Sequence, residues 1–275
     1  MRLLIKKSLE YFIFSNLLVS LSAGTLCFGI CSQINIPNKI GYGIFVFFST
    51  LFTYNLQRLI KSYQIVSLPT NHIQWVLMNR KVLRIFLVLS CILMVYSFYS
   101  IFNWRVNSFL ILFFSVTISL LYVFKIKGKS LRDLPHLKIH FIAIIWISAI
   151  GIFELVNENN YILNNWIFVL AHYFYVLAIT IPFDIRDLKY DKKSQRTIPQ
   201  VFGVNLAKVI SLISMLIYII FVFIFKSTNE YNIFFILTIF ATILLILGVN
   251  KSRNEFYFSG LIEGIIFILG LSYWI

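Results

Sequence analysis

Nine stretches of about twenty apolar residues follow one another along this 275-residue chain, and very few architectures can hold them. A helix of that length crosses roughly 30 Å of hydrocarbon, whereas a water-soluble domain has too little interior to hide so many such rods. The stretches run at about 10–31, 40–60, 83–102, 107–125, 138–156, 164–183, 204–225, 231–249 and 256–274. Charged residues make up 12% of the chain, half of the roughly 25% usual in soluble proteins. The mean hydropathy is +0.87. The expectation is therefore an all-α polytopic membrane protein with nine transmembrane helices, forming one integral membrane domain over residues 1–275. The first stretch begins after Arg2, Lys6 and Lys7 but is longer than the apolar part of a secretory leader and lacks a clear cleavage site, so it reads as a retained span.

Basic residues orient such a bundle, because Lys and Arg accumulate on the cytoplasmic side. With the N-terminus inside, cytoplasmic ends and loops carry 21 of the 24 Lys and Arg residues, and the outer side holds only Lys39, Arg105 and Lys226. The expected topology is N-in/C-out, in a bacterial inner membrane with the active face cytoplasmic. The formal net charge of +14 then reflects this bias and attraction to anionic lipid. No RNP, helix-turn-helix or zinc-finger pattern is present, which excludes the common nucleic-acid modules. Cys27, Cys31 and Cys91 lie in apolar runs without a CxxC and read as small buried hydrophobes.

Acid is scarce, and its placement is the second constraint. Three of the four aspartates, Asp184, Asp187 and Asp191, fall in "PFDIRDLKYDKKSQRTIPQVFG", residues 182–203. On a continuing helix, 100° steps put these three carboxylates within an arc of about 60° and turn Arg186 and Lys189 away. Carboxylates on one stripe repel one another unless a cation sits among them. Mg²⁺ takes such oxygens and keeps open positions for phosphate. The bland alternative is a solvated loop whose acids balance nearby bases.

"FDIRDxxxD" followed by "RTIPQVFG" resembles the second signature of the UbiA family of intramembrane prenyltransferases. Asp184, Asp187, Asp191, Thr197, Ile198, Pro199 and Gly203 match it, with Gln195 where a Gly is usual. The resemblance extends to "LLYVFKIKGKSLRDLP", where Tyr122 precedes Lys125 and Lys127. It implies a nine-helix bundle that transfers an isoprenoid chain from a prenyl diphosphate to a lipophilic acceptor, aromatic acceptors included, with membrane lipid and these substrates as partners. It also implies Mg²⁺, here a single ion, on Asp184, Asp187 and Asp191 as catalytic and metal-holding residues.

The family's other Asp-rich signature is degenerate. "FTYNLQRLIKSYQ", residues 52–64, contains no acid. In one register the three Asp positions become Asn55, Arg58 and Ser62; in the other they become Leu56, Leu59 and Tyr63. Arg58 is then either a fixed cation for the diphosphate, replacing a metal, or an internal salt-bridge partner of the aspartates. The expected diphosphate contacts are Asn55, Arg58, Lys61, Lys127 and Arg196. Tyr122, Tyr175 and Glu263 are candidates for the cavity wall, Glu263-Gly264 standing where relatives resembling this chain carry Asp-Gly. His136 and His140, one turn apart after Asp133, form a conceivable metal pair but read better as an interfacial helix entry. His172 is expected to be hydrogen-bonded inside the bundle. The rival function is a non-catalytic lipid- or isoprenoid-binding protein that keeps the fold without the full site. A transporter is a third reading, weakened by the lack of paired broken helices.

Overall fold

A computed structural model of the protein describes residues 2–63, 71–126, 128–158, 162–226 and 231–274. Among them are eleven helices. They are α1 (Arg2–Phe14), α2 (Leu17–Gln33), α3 (Lys39–Tyr63), α4 (Asn71–Met78), α5 (Arg80–Ile101), α6 (Val106–Val123), α7 (Lys138–Asn157), α8 (Ile162–Asp187), α9 (Ile198–Phe225), α10 (Ile233–Leu247) and α11 (Tyr257–Ser272). Each of the nine expected stretches contains helix, so the all-α expectation holds. Five helices, α5 to α9, are long and apolar enough to cross a membrane, and the α1–α2 pair makes a sixth if it counts as one span. By length and composition, six crossings therefore stand where nine are expected. Helix α3 is long but carries Lys39, Arg58 and Lys61, and α10 and α11 are apolar but shorter. The chain is an integral membrane protein with several apolar helices, and the outward faces of α5 and α6 (Ile85, Val88, Ile92, Phe109, Phe113) are exposed as lipid contact requires.

Local chemistry explains the breaks. The first expected span bends by 58° between α1 and α2. Asn16 sits there in the left-handed region (φ 64), which Asn tolerates better than most residues, and its Nδ2 donates to Asn55 Oδ1 at 2.8 Å. Pro182 lies inside α8 and cannot donate to the carbonyl of Ala178. Ser211 Oγ of α9 supplies that missing donor at 2.5 Å, which pins α8 to α9. Gly203 (φ 79, ψ 170) kinks the start of α9 in a conformation open essentially to glycine alone.

The helices close a ring. α9 lies along α8, α8 along α7, and α2 lies between α3 and α11. Gly29 and Gly270 let α2 and α11 touch backbone to backbone, since a Cβ on either would collide with the other helix. A buried aromatic cluster fills the α8, α9 and α11 side. There His172 Nε2 meets Tyr273 Oη at 3.0 Å and its Nδ1 meets the Phe168 carbonyl at 2.7 Å, the internal role expected of it. Helix α4, which the sequence reading missed, packs Trp75 on Phe14 and sets His72 Nε2 2.9 Å from the Phe14 carbonyl.

Candidate functional site

The ring encloses a cavity of about 190 Å³, walled by α2, α3, α6, α7, α8 and α11. One side of α3 supplies Tyr54, Gln57, Arg58 and Lys61. At 100° per residue these four fall within roughly a 100° arc, and Asn55 and Ser62 point about 90° away. Neither register of the degenerate signature describes that face, although Arg58 and Lys61 are on it. The other walls bring Tyr122, Arg132, Lys138, Asp184, Arg186, Asp187 and Glu263. The cavity thus combines five cations with three carboxylates.

Helix α8 ends at Asp187, three residues after Asp184, and the chain then turns, with Asp191 N–H donating to the Asp187 carbonyl at 2.8 Å. The expected helix past Asp191 is replaced by this turn, yet the three carboxylates still converge. They converge on protein cations. Lys138 Nζ, at the start of α7, lies 2.7 Å from Asp184 Oδ1, 2.5 Å from Asp191 Oδ2 and 3.9 Å from Asp187 Oδ2. Arg132 reaches Asp191 Oδ1 at 2.8 Å and Asp187 Oδ2 at 3.9 Å. Arg186, expected to turn away, folds back so that its Nε donates to Asp187 Oδ1 at 2.7 Å. Its guanidinium also stacks 5.0 Å from the Phe183 ring. Buried carboxylates need paired charge, and the pairing here is internal. The Lys138–Asp184 contact is an ion pair whose angles fall short of a directed hydrogen bond, and Asp184 Oδ2 has no partner among the described residues.

Among the described residues no group of acids is placed to hold the expected magnesium ion. Mg²⁺ requires several oxygens at about 2.1 Å in octahedral array. The oxygens that could provide it face Lys138 Nζ instead, and one unpartnered Asp184 oxygen does not make a donor set. The residues as arranged do not fit the ion.

Other expected residues also move. Asn55 is fully buried between α2 and α3, held by Asn16, and does not reach the cavity. Arg196 is exposed in the turn before α9, with a left-handed backbone. Lys127 lies outside the described residues. Tyr122 and Glu263 line the cavity as expected, but Tyr175 packs in the core against Tyr218, ring centroids 5.0 Å apart. His140 Nδ1 pairs with Tyr173 Oη at 2.6 Å, and among the described residues no group of three His, Cys, Asp or Glu side chains is placed to hold a metal. Lys138 and Arg132 are the residues that sequence reasoning missed, whereas Arg186 is one of the neighbouring cations expected to be able to pair with the aspartates or with phosphate. The signal of the two missed residues was available: a lysine opening an apolar helix and an arginine beside Asp133, both close to scarce acid.

The matched "RTIPQVFG" segment acts as a brace. Gln200 Oε1 accepts from Thr197 N–H at 3.0 Å, and its Nε2 donates to the Asp191 and Lys192 carbonyls at 3.3 and 3.2 Å. From the other side Asp133 takes Lys192 Nζ at 3.0 Å. Burial alone would raise the Asp133 pKa, but the hydrogen bonds from Lys192 and Ser130 outweigh it and hold the carboxyl below its ordinary range. Burial likewise works against the Arg132 cation, yet Tyr122 and Asp191 beside it raise its pKa.

A second cavity, about 350 Å³, adjoins the first. Phe45, Phe52, Met94, Phe98, Leu112 and Ile150 line it, and it shares Thr53, Tyr54, Gln57, Ser119, Ile145 and Trp146 with the charged one. At that seam Trp146 Nε1 donates to Tyr54 Oη at 3.2 Å and Gln57 Nε2 to Ser119 Oγ at 3.2 Å.

A ring of helices around a charged chamber with an apolar annex defines an all-helical membrane protein. No family model matches the sequence, and no curated protein matches it. Solved structures do. A UbiA homolog from Archaeoglobus fulgidus is similar with a TM-score of 0.61 at 14% identity, over 96% of this chain and 98% of that one. The same homolog bound to GPP and Mg²⁺ gives 0.60 at 15%, over 96% and 99%. A digeranylgeranylglyceryl phosphate synthase gives 0.55 at 17%, over 98% and 97%. The chain has a UbiA-like prenyltransferase fold.

Proposed function

We propose that this protein transfers an isoprenoid chain from a prenyl diphosphate to a lipophilic acceptor within the membrane. The observation that carries the reading is the seam between the two chambers: a cation-lined cavity shares six wall residues with an apolar one, matching a diphosphate head joined to a hydrocarbon tail. The A. fulgidus homolog of the same fold, bound to GPP and Mg²⁺, supports it. The nine-crossing, N-in/C-out topology belongs to this proposal, supported by the bias of Lys and Arg, and puts the charged chamber on the cytoplasmic side of the membrane.

In such a transfer the bond between the first carbon of the chain and the diphosphate oxygen breaks, and the electron pair leaves with the diphosphate. Arg58 and Lys61, which form no ion pair among the described residues, stabilise that anion. Trp146, Tyr54 and Tyr122 offer π-faces to the allylic cation. The acceptor's nucleophilic atom bonds the carbon and loses a proton, for which Glu263 is the half-buried carboxylate outside the ion-paired cluster.

A second reading is a non-catalytic prenyl-lipid-binding protein, favoured by the saturation of the aspartates with internal cations. Purified protein titrated with geranyl diphosphate, then given a pool of hydroxyl and phenolic lipid acceptors, separates them. Saturable binding followed by acceptor-dependent release of diphosphate is the expected result. Binding without release establishes the second reading, and absence of binding removes both.

A further inference from the structure

Three carboxylates that share one centre need positive charge there, and in this chain the charge is covalently attached. Lys138 Nζ stands within 4 Å of an oxygen from each of Asp184, Asp187 and Asp191, and the residue is 5% exposed. Its ammonium donates to Asp191 Oδ2 and ion-pairs with Asp184 and, at longer range, Asp187, while Arg132 and Arg186 take up further oxygens of Asp191 and Asp187. The cluster is charge-balanced within itself: three acids, three cations. Arg58 and Lys61 on the facing helix are left over for an incoming anion, with Glu263 the one other carboxylate lining the chamber. A divalent ion would have to enter at the point where the ammonium sits, against its charge.

We infer that this site takes a diphosphate ester without a divalent metal, Lys138 being a positioning residue whose tethered ammonium organises the aspartates in the place an ion would fill, while Arg58 and Lys61 contact the phosphate oxygens. The inference rests on the prenyl diphosphate reading above. It differs from that reading in one respect, metal dependence, and so can fail separately.

The test uses the full-length protein in detergent and geranyl S-thiolodiphosphate, which does not ionise readily, titrated in EDTA and in millimolar Mg²⁺. The expected Kd values agree within about twofold. A requirement for Mg²⁺, seen as a tenfold or greater tightening, overturns metal independence and leaves the prenyl diphosphate reading intact. No binding in either buffer overturns that reading and the inference with it. Mn²⁺ alone, followed by electron paramagnetic resonance on the same wild-type protein, should show no stoichiometric site; one bound Mn²⁺ per chain overturns the inference. Lys138→Met then supplies the converse. It uncovers three acids, so a stoichiometric Mn²⁺ site should appear, and analogue binding weakened by roughly tenfold in EDTA should recover with Mg²⁺. A folded Lys138→Met protein with neither response overturns the role given to Lys138, and the wild-type Mn²⁺ measurement decides the matter should the variant not fold.

Discussion

The two ends of this bundle both bury acid, and they do so by opposite means. At the end where α7 begins, every aspartate of the trio faces a Lys or Arg within ion-pair distance. At the end where α7 finishes, Glu154 is fully buried with no ion pair among the described residues, its Oε1 accepting from Cys27 Sγ at 3.2 Å. Its neighbours form a hydrogen-bonded lattice: Asn157 Nδ2 donates to Tyr42 Oη at 2.5 Å and to the Ile101 carbonyl at 2.8 Å, and Tyr42 Oη donates to Glu158 Oε1 at 2.6 Å. The first end keeps full charges next to a chamber, where they can act on an anion. The second fastens α2, α3, α5 and α7 together through hydrogen bonds. Separating the two tasks lets one end be chemically demanding while the other fixes the geometry.

The largest effect that could break this contrast is the loss of one charge from the balanced cluster. Asp191→Asn removes the carboxylate that Lys138 and Arg132 share, and breaking a buried pair from one side costs up to about 3–5 kcal/mol, measurable as a fall in chemical-denaturation stability in micelles. Glu154→Gln should cost less than about 1 kcal/mol in the same assay, because the amide oxygen still accepts from Cys27. Equal losses would mean that the two ends are not different in kind. Arg58→Ala should leave stability nearly unchanged but weaken the thiolodiphosphate analogue by about 10- to 100-fold, the worth of a charge-assisted hydrogen bond. Ala149→Phe projects a ring into the apolar chamber; it should weaken geranyl binding by roughly tenfold while sparing inorganic diphosphate, read by competition titration.

The smallest effect is one of pH. Because the Asp133 pKa is held below its unfolded value, its contribution is fully present above about pH 4 and is lost as pH falls through the folded value. Acid should therefore loosen the charged end first, and Asp133→Asn should show a shallower decline in Tm between about pH 5 and pH 3 than the wild type.

Much of the fold was legible because apolar runs report helices directly, and α5 to α9 match their expected stretches to within a few residues, apart from the extra turns that open α9. Asn16 and the α1–α2 bend were hidden, since a single polar residue inside an apolar run gives no notice of a left-handed backbone. At the site, the clustering of scarce acid found the three aspartates, although Asp191 lies in the turn after α8, while Arg58, Lys61 and Glu263 came from the resemblance to the family's signatures. Neither found Lys138 and Arg132, which come from 46 to 59 positions away and meet the acids only through the packing of α7 on α8. Asn55 illustrates the converse error. Its spacing with Arg58 is right for a shared face, but the face of α3 that points inward is centred one position away. Arg186 fails for a different reason: a long side chain can fold back over Phe183 and cancel the direction of its Cα–Cβ bond.

The backbone contact between Gly29 and Gly270 bears on how the molecule is made. Helix α11, which brings Glu263 and Ile266 to the chamber, leaves the ribosome after the ten that precede it, yet it must slot against the second. Until it does, the hollow is a trough open along one flank, and any early guest could slip out sideways into lipid. Translation thus finishes the container last.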